Sequence, residues 1–549
     1  MFIENQSGSN RSDPKLKELR KYIIALNILG ILILSSSFVY LNSTSFTIQK
    51  GVVFSSWYYQ NQNQQNTGYS PQTALNPSNV GALKPLWATH VPFASGTPVV
   101  VNGTVFVTGI LSIWALNKFT GAIIWVDSPF TGLTRAPFFT QSGVTVDNGN
   151  VFVSDANNYL YSLNAQTGAM NWKSLITQNV VGSIGNYSGA EATPLVYNGK
   201  VIVGETYGDY AVRGLLRAFD ENTGSLLWTF YTVPPGPINA TNQVGYQNSL
   251  GQNTWGTNGT YGCICGGGAV WNVPAVDPNT GIIYFGTGNP DQLPNNASGV
   301  AARTPGYPNS QYSNLYTDSV IALDSANGKL VWYYQAVPGD QTDYDFGMPV
   351  QLFTTTINGV QTEVVGAMNK IGNFYVMKAQ TGALVYKVKL AIQQHTNDTA
   401  GTVPDSARFP GMPDSFSSYN PITNMIYVTG YNGPYSCGEA PSCAYPRNST
   451  LYAIDASTGG IAWQMYLGQG FGGGVSSSNT MVFTSDGNHT LYALNAWNGA
   501  ILWQHYEPTG GNAGVIYWSW GPPSIMNGMI YFTTMGSYSN GLVEDYATF

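Results

Sequence analysis

Through most of the chain, apolar residues come in short runs that alternate or cluster β-branched and aromatic side chains, as in GNVFVSD, GKVIVG, GIIYFGTG and MVFTSDG. Such runs read as β-strands. Between them recurs one phrase: a small or apolar residue, an Asn or Asp, then T-G or N-G, then apolar residues ending in Trp. It appears as ALNKFTGAIIW (Ala115 to Trp125), SLNAQTGAMNW (Ser162 to Trp172), AFDENTGSLLW (Ala218 to Trp228) and ALDSANGKLVW (Ala322 to Trp332). It returns as AIDASTGGIAW (Ala453 to Trp463) and ALNAWNGAILW (Ala493 to Trp503), with a degenerate copy, VMKAQTGALVY, from Val376 to Tyr386. Each copy predicts strand, tight turn, strand: the Asn or Asp side chain bonds the turn backbone, and the Gly supplies a positive φ. Beyond the N-terminus no stretch has the period of a long amphipathic helix. The pattern predicts an all-β fold, a β-propeller whose blades bury one another's faces, with the repeated Trp residues packed between blades.

The N-terminus breaks this pattern. Tyr22 to Leu41 carries no charge over about twenty residues, the length that crosses a hydrocarbon core. Arg11, Lys15, Lys17, Arg20 and Lys21 precede it and the next basic residue is Lys50. The charge bias predicts a cytoplasmic tail over 1–21, a single transmembrane anchor over 22–42, a linker over 43–65 and a propeller over 66–549 outside the cell. A cleaved signal peptide is the alternative, although the apolar stretch exceeds the usual signal core.

Composition narrows the function. Charged residues are 9% of the chain and the formal net charge is -7, with no basic cluster beyond the N-terminus. That excludes a nucleic-acid partner, which needs concentrated Lys and Arg. Sequons at Asn102, Asn186, Asn239, Asn258, Asn296, Asn397, Asn448 and Asn488 read as surface glycosylation sites. The four cysteines fall in two close pairs, Cys263 with Cys265 and Cys437 with Cys443. In an oxidising compartment the second pair is expected to close a small loop as a disulfide. No C-x-x-C-H is present, so no covalent haem is expected.

The Trp-ending phrase resembles the tryptophan-docking motif of the eight-bladed quinoproteins of the pyrroloquinoline-quinone-dependent alcohol dehydrogenase family. Further stretches are similar in order: Asn66 to Trp87, Tyr207 to Gly214, Gly266 to Pro290, Tyr334 to Asp345 and Gly470 to Gly487. The resemblance spans about 66 to 505. It implies pyrroloquinoline quinone (PQQ) as cofactor, with Ca²⁺ or a lanthanide ion beside it. The substrate is then a small alcohol or polyol, and the electrons go to a membrane quinone, a cytochrome or a copper protein.

Residue by residue, the resemblance makes Trp271 the aromatic face beneath the quinone, after three glycines that permit close approach. Asn289 and Asp209 become oxygen ligands of the metal, Asp209 standing where the family usually has Glu. Asp343 becomes the carboxylate that takes the alcohol proton and a further metal ligand. Asp345, two residues on, is associated in this family with lanthanide binding. Lys370 is expected to contact the quinone oxygens, Thr206 a cofactor carboxylate, and Arg213 to support the site. The residue types alone leave another reading open, in which Asp340, Asp343 and Asp345 form a solvated acidic loop.

One departure bears on the reading. The family's adjacent cysteine pair, which covers the other quinone face, has no counterpart between Gly132 and Val146, and Ser142 stands near the place of the Arg that follows it. That leaves Phe138, Phe139 or nothing as the lid. Two functions therefore stand side by side: an extracytoplasmic PQQ-dependent dehydrogenase, and a non-catalytic propeller that binds partners or builds the cell envelope.

Overall fold

The computed structural model describes residues 56–549 except 93, 95, 110–111, 129–142, 156, 178–191, 207, 209–211, 234–253, 255–262, 295–312, 341–343, 391–415, 433–447, 469–471, 488–489, 507–520, 535–541 and 548–549. The described chain is an all-β propeller. Its strands form seven four-stranded sheets, one five-stranded sheet and a two-stranded ribbon. The expectation of eight blades meets seven four-stranded sheets, beside a five-stranded sheet with an added strand, Tyr69–Ser70, which pairs in parallel with Ser476–Ser478. The described residues include one short helix, the 3-10 turn Val80–Ala82, and no helix long and apolar enough to cross a membrane. The expected anchor, 22–42, lies outside the described residues, as do Cys437, Cys443 and the sequons at Asn186, Asn239, Asn258, Asn296, Asn397 and Asn488. Of the two described sequons, Asn102 is exposed in a tight turn and Asn448 is half-buried in a strand.

A typical sheet runs Val99–Val101, Thr104–Gly109, Ser112–Asn117 and Ile123–Asp127 in antiparallel order. The inner strand is buried on both faces, and the outer strand is exposed or half-buried along its length. One sheet joins the two ends of the ring: Lys84–His90 pairs with Leu542–Ala547, beside Met529–Thr534 and Ser524–Met526. Apolar clusters lie between neighbouring sheets, as where Ile202, Leu216 and Trp228 meet Val276, Ile283 and Phe285.

The repeated phrase has two jobs. In the turns Asn117, Asn164, Asp220, Asp324, Asp455 and Asn495 each accept backbone N–H groups two or three residues on, as expected. The Gly that follows also serves as the seat for the Trp of the sheet before it. Trp125 lies on Gly168, Trp172 on Gly224, Trp228 on Gly328, Trp332 on Gly382, Tyr386 on Gly459 and Trp463 on Gly499. Each ring also donates to a backbone carbonyl of the same turn, for example Trp228 Nε1 to Ser325 O at 3.0 Å and Tyr386 Oη to Ala456 O at 2.8 Å. Trp87, outside the seven copies, docks in the same way on Gly121.

A Cβ on Gly328 would sit 2.7 Å from Trp228 Cε3, at a residue whose φ is +71°. Gly328→Ala is therefore expected to cost about 2 to 4 kcal/mol, overpacking and a left-handed alanine together. Gly359 has φ +80° with nothing within 4 Å of a Cβ. Gly359→Ala should cost about 1 to 2 kcal/mol, the backbone part alone. Urea midpoints of the two variants check the difference.

Residues 57–65, expected to be linker, belong to the propeller. Trp57 pairs with Val100, and Val146 N donates to Tyr58 O. Tyr59 Oη donates to Val196 O, after which Gln64 O, Gln65 O, Thr67 O and Gly68 O accept from Val276, Leu352, Tyr419 and Ser477. The segment thus serves the innermost strands of seven sheets in chain order. Asn66, fully buried, donates through Nδ2 to Val273 O at 3.0 Å and Val350 O at 3.1 Å. The stretch lacks hydrophobic period because it meets strand backbones with amides, which is why it reads as linker.

Candidate active site

Four of the expected residues come from the ends of strands in neighbouring sheets. The ribbon of Cys263–Gly267 and Pro290–Pro294 brings the glycines before Trp271 against the residues after Asn289, with Gly267 opposite Pro290. Gly268 N donates to Asn289 O and Gly288 N to Ala269 O, both at 2.9 Å, so the Trp271 and Asn289 segments are laced together. Gly288 is where they approach the acid loop: a Cβ there would lie 3.2 Å from Trp271 Nε1 and 3.4 Å from Asp345 Oδ2. Any larger residue would push into the site.

Asp345 is fully buried and Lys370 nearly so, and they are joined twice. Lys370 N donates to Asp345 O at 2.9 Å, and Lys370 Nζ pairs with Asp345 Oδ1 at 3.0 Å. The same ammonium lies 4.3 Å from the centroid of the Trp271 ring, in cation–π range. Asp345 is held in place because Phe346 N donates to Thr287 O, and Phe346 wedges against Gly286 and Tyr375. Lys370 sits in a turn closed by Gly372 N to Asn369 O, with φ +86° at Gly372. Trp271, Asp345 and Lys370 therefore form one unit, and Asn289 adjoins it.

The other expected residues divide. Arg213 supports the backbone: its Nε donates to Val233 O at 2.5 Å, its guanidinium lies 4.0 Å from the Tyr231 ring, and its backbone bridges Gly267. Thr206 is half-buried beside the buried Glu205, whose carbonyl accepts from Val270 N at 2.8 Å. Asp209 and Asp343 lie outside the described residues. Asp340 and Asp345 are buried, so the solvated-loop reading fails for both. Asp340 Oδ2 instead accepts Tyr344 N at 2.6 Å.

Two buried carboxylates escaped the sequence reading. Glu205 and Asp318 are fully buried near this unit, Asp318 N donating to Gly288 O at 3.0 Å. Their only signal was position, an acid at the end of a strand or just before one.

The chemistry of the unit suits a flat, oxygen-rich ligand. Trp271 Nε1 is a buried donor with no partner among the described residues, beside an aromatic face and a buried ammonium. Asn289 uses its amide N–H on Pro290 O at 3.3 Å, leaving the carbonyl oxygen as its donor toward a cation. Among the described residues no three His, Cys, Asp or Glu side chains converge on a metal position.

Comparison with known proteins adds to this geometry. A model of the glucose/ethanol/alcohol dehydrogenase β-propeller domain matches residues 57–404, and one of the outer membrane protein assembly factor BamB matches 447–545. The dehydrogenase subunit of the alcohol dehydrogenase (quinone) of Gluconobacter oxydans (strain 621H) is 29% identical over 413 residues, 69% of this chain and 53% of that protein. Quinohemoprotein alcohol dehydrogenase ADH-IIG of Pseudomonas putida is 29% identical over 403 residues, 68% of this chain and 54% of that protein. The chain thus spans about half the length of the curated relatives it matches. The structure of ADHIIG from Pseudomonas putida HK5 is similar with a TM-score of 0.71 at 23% identity, over 90% of this chain and 80% of that one. A europium-containing methanol dehydrogenase gives 0.71 at 20% identity, over 90% and 98%. At these identities the structural likeness speaks for the fold.

Proposed function

The chain belongs to the glucose/ethanol/alcohol dehydrogenase β-propeller family, whose model covers more than half of it, and from that premise we propose that it is a PQQ-dependent dehydrogenase of a small alcohol or polyol. The observation that carries the reading is the buried Lys370–Asp345 pair set on the face of Trp271, whose Nε1 has no partner among the described residues. A planar anionic quinone suits the chemistry of that set: an aromatic ring, a buried cation against it, an unused N–H, and glycines that let backbone come close.

PQQ, when bound, supplies the acceptor for a hydride. The protein's part is to bind, orient and move the proton. Trp271 fixes the ring plane, and Lys370 places positive charge where reduction builds negative charge. Thr206 is assigned a cofactor carboxylate. Asn289, Asp209 and Asp343 would hold a hard cation, Ca²⁺ or a lanthanide, through oxygen. Asp343 takes the alcohol hydroxyl proton on a carboxylate oxygen as the carbinol carbon gives up its hydrogen. Taking the five-stranded sheet with the seven others, we read the ring as eight blades. We place it outside the cell behind an anchor at 22–42, with glycans at its exposed sequons and a disulfide between Cys437 and Cys443. An external membrane quinone, cytochrome or copper protein takes the electrons.

A second reading, a non-catalytic propeller at the cell surface, is favoured by the missing cysteine pair between 132 and 146 and by Asp209 in place of Glu. Titration of the purified protein with PQQ plus Ca²⁺ or La³⁺, followed by absorbance and by dye reduction with short alcohols, separates the two. The dehydrogenase reading expects stoichiometric, metal-dependent binding and dye reduction; absence of binding with either metal establishes the scaffold.

A further inference from the structure

Asp345 is expected from sequence to be a metal ligand, yet its surroundings assign it to another partner. Its Oδ1 is 3.0 Å from Lys370 Nζ, and its carbonyl accepts the backbone N–H of the same lysine at 2.9 Å. Both side chains are almost wholly buried. A buried carboxylate with a lysine on it is already neutralised; handing it to a metal would leave the lysine a buried, uncompensated charge. Lys370 in turn cannot be placed by chain geometry alone, because its long stem has many rotamers. The carboxylate and the Trp271 face, 4.3 Å from the ammonium, fix it from two sides.

We infer that Asp345 is the positioning residue for Lys370: its carboxylate holds the ammonium over Trp271, and that lysine, not a metal ion, is its partner. The inference rests on the proposed quinone site for its functional meaning, while the ion pair itself does not depend on it. It follows that the unit presents a planar ligand with a lysine whose position is set in advance and whose charge is balanced within the protein.

A double-mutant cycle on the full chain tests this, using Asp345→Asn, Lys370→Met and the two together. Three quantities are read: PQQ affinity by absorbance, La³⁺ and Ca²⁺ affinity by calorimetry without quinone, and urea midpoints. Each single variant is expected to weaken PQQ binding by about tenfold, a free-energy change of about 1.4 kcal/mol. The double variant should be no weaker than either single one. The double variant, which removes the pair and keeps the charge balance, should bind La³⁺ and Ca²⁺ as tightly as the parent. Asp345→Glu should recover part of the PQQ affinity, because it restores a carboxylate to the lysine. Additive losses of PQQ affinity, or a loss of about tenfold (about 1.4 kcal/mol) in La³⁺ affinity of the double variant relative to the parent, overturn the inference.

If the wild-type chain binds no PQQ, the quinone reading fails, and the urea midpoints still decide the pair. Asp345→Asn that destabilises and is rescued by Lys370→Met supports it; independent, additive shifts overturn it.

Discussion

Asp343→Asn is expected to lower PQQ- and metal-dependent turnover by about 10²- to 10⁴-fold, the usual contribution of a positioned general base. Asparagine keeps the shape and an oxygen donor but cannot take a proton, so the loss should fall on kcat more than on KM. Asp343 follows Asp340 and precedes Tyr344 and Asp345, and the ends of that stretch are tied by Tyr344 N to Asp340 Oδ2 and by Asp345 to Lys370. The urea midpoint of the variant should match the parent. Turnover within a factor of about three of the parent removes Asp343 from the role of base, since a general base is worth far more than that.

The second large effect is on stability. Trp228 is 2% exposed, packs on Gly328 and donates Nε1 to Ser325 O at 3.0 Å. Trp228→Ala removes a buried aromatic and should cost about 3 to 5 kcal/mol. It also leaves the Ser325 carbonyl short of a donor between two sheets. Trp125 is only half-buried, so Trp125→Ala should cost less than Trp228→Ala. Both are read from urea midpoints; equal midpoints for the parent and Trp228→Ala rule out docking as a source of stability.

The propeller was legible because its signal is local and repeated: an Asn or Asp bonds its own turn, and a Trp follows at a fixed distance. The same phrase hid its second half, that each Trp sits on the glycine of the next sheet, because that contact joins residues far apart in the chain, as from Trp125 to Gly168 or from Trp228 to Gly328. The segment 57–68 was read mostly as linker. Its Gln and Asn side chains carry no period, and the groups they serve are backbone carbonyls and amides that no sequence pattern displays. Within the site, Trp271, Asn289, Asp345 and Lys370 were legible singly through the family resemblance. The pairing of Asp345 with Lys370 was not, since it joins two loops of different sheets, and Glu205 and Asp318 look in sequence like ordinary strand-end polar residues.

The axial segment also sets a number. From Trp57 to Gly68 it offers backbone or side-chain partners to seven sheets in order, one after another. Twelve residues reach at most about 40 Å when fully extended, and the tight turn at Gln62, with φ +75°, shortens that further. The segment is therefore a measure of fixed length laid along the inner circumference. A duplicated blade would present an inner strand for which this order of partners has no place, and a deleted blade would leave one of its carbonyls facing no strand. Repeat proteins ordinarily gain or lose units with little penalty at the sites that remain; here a change in the number of repeats has to be matched by a change in a segment that is not itself a repeat.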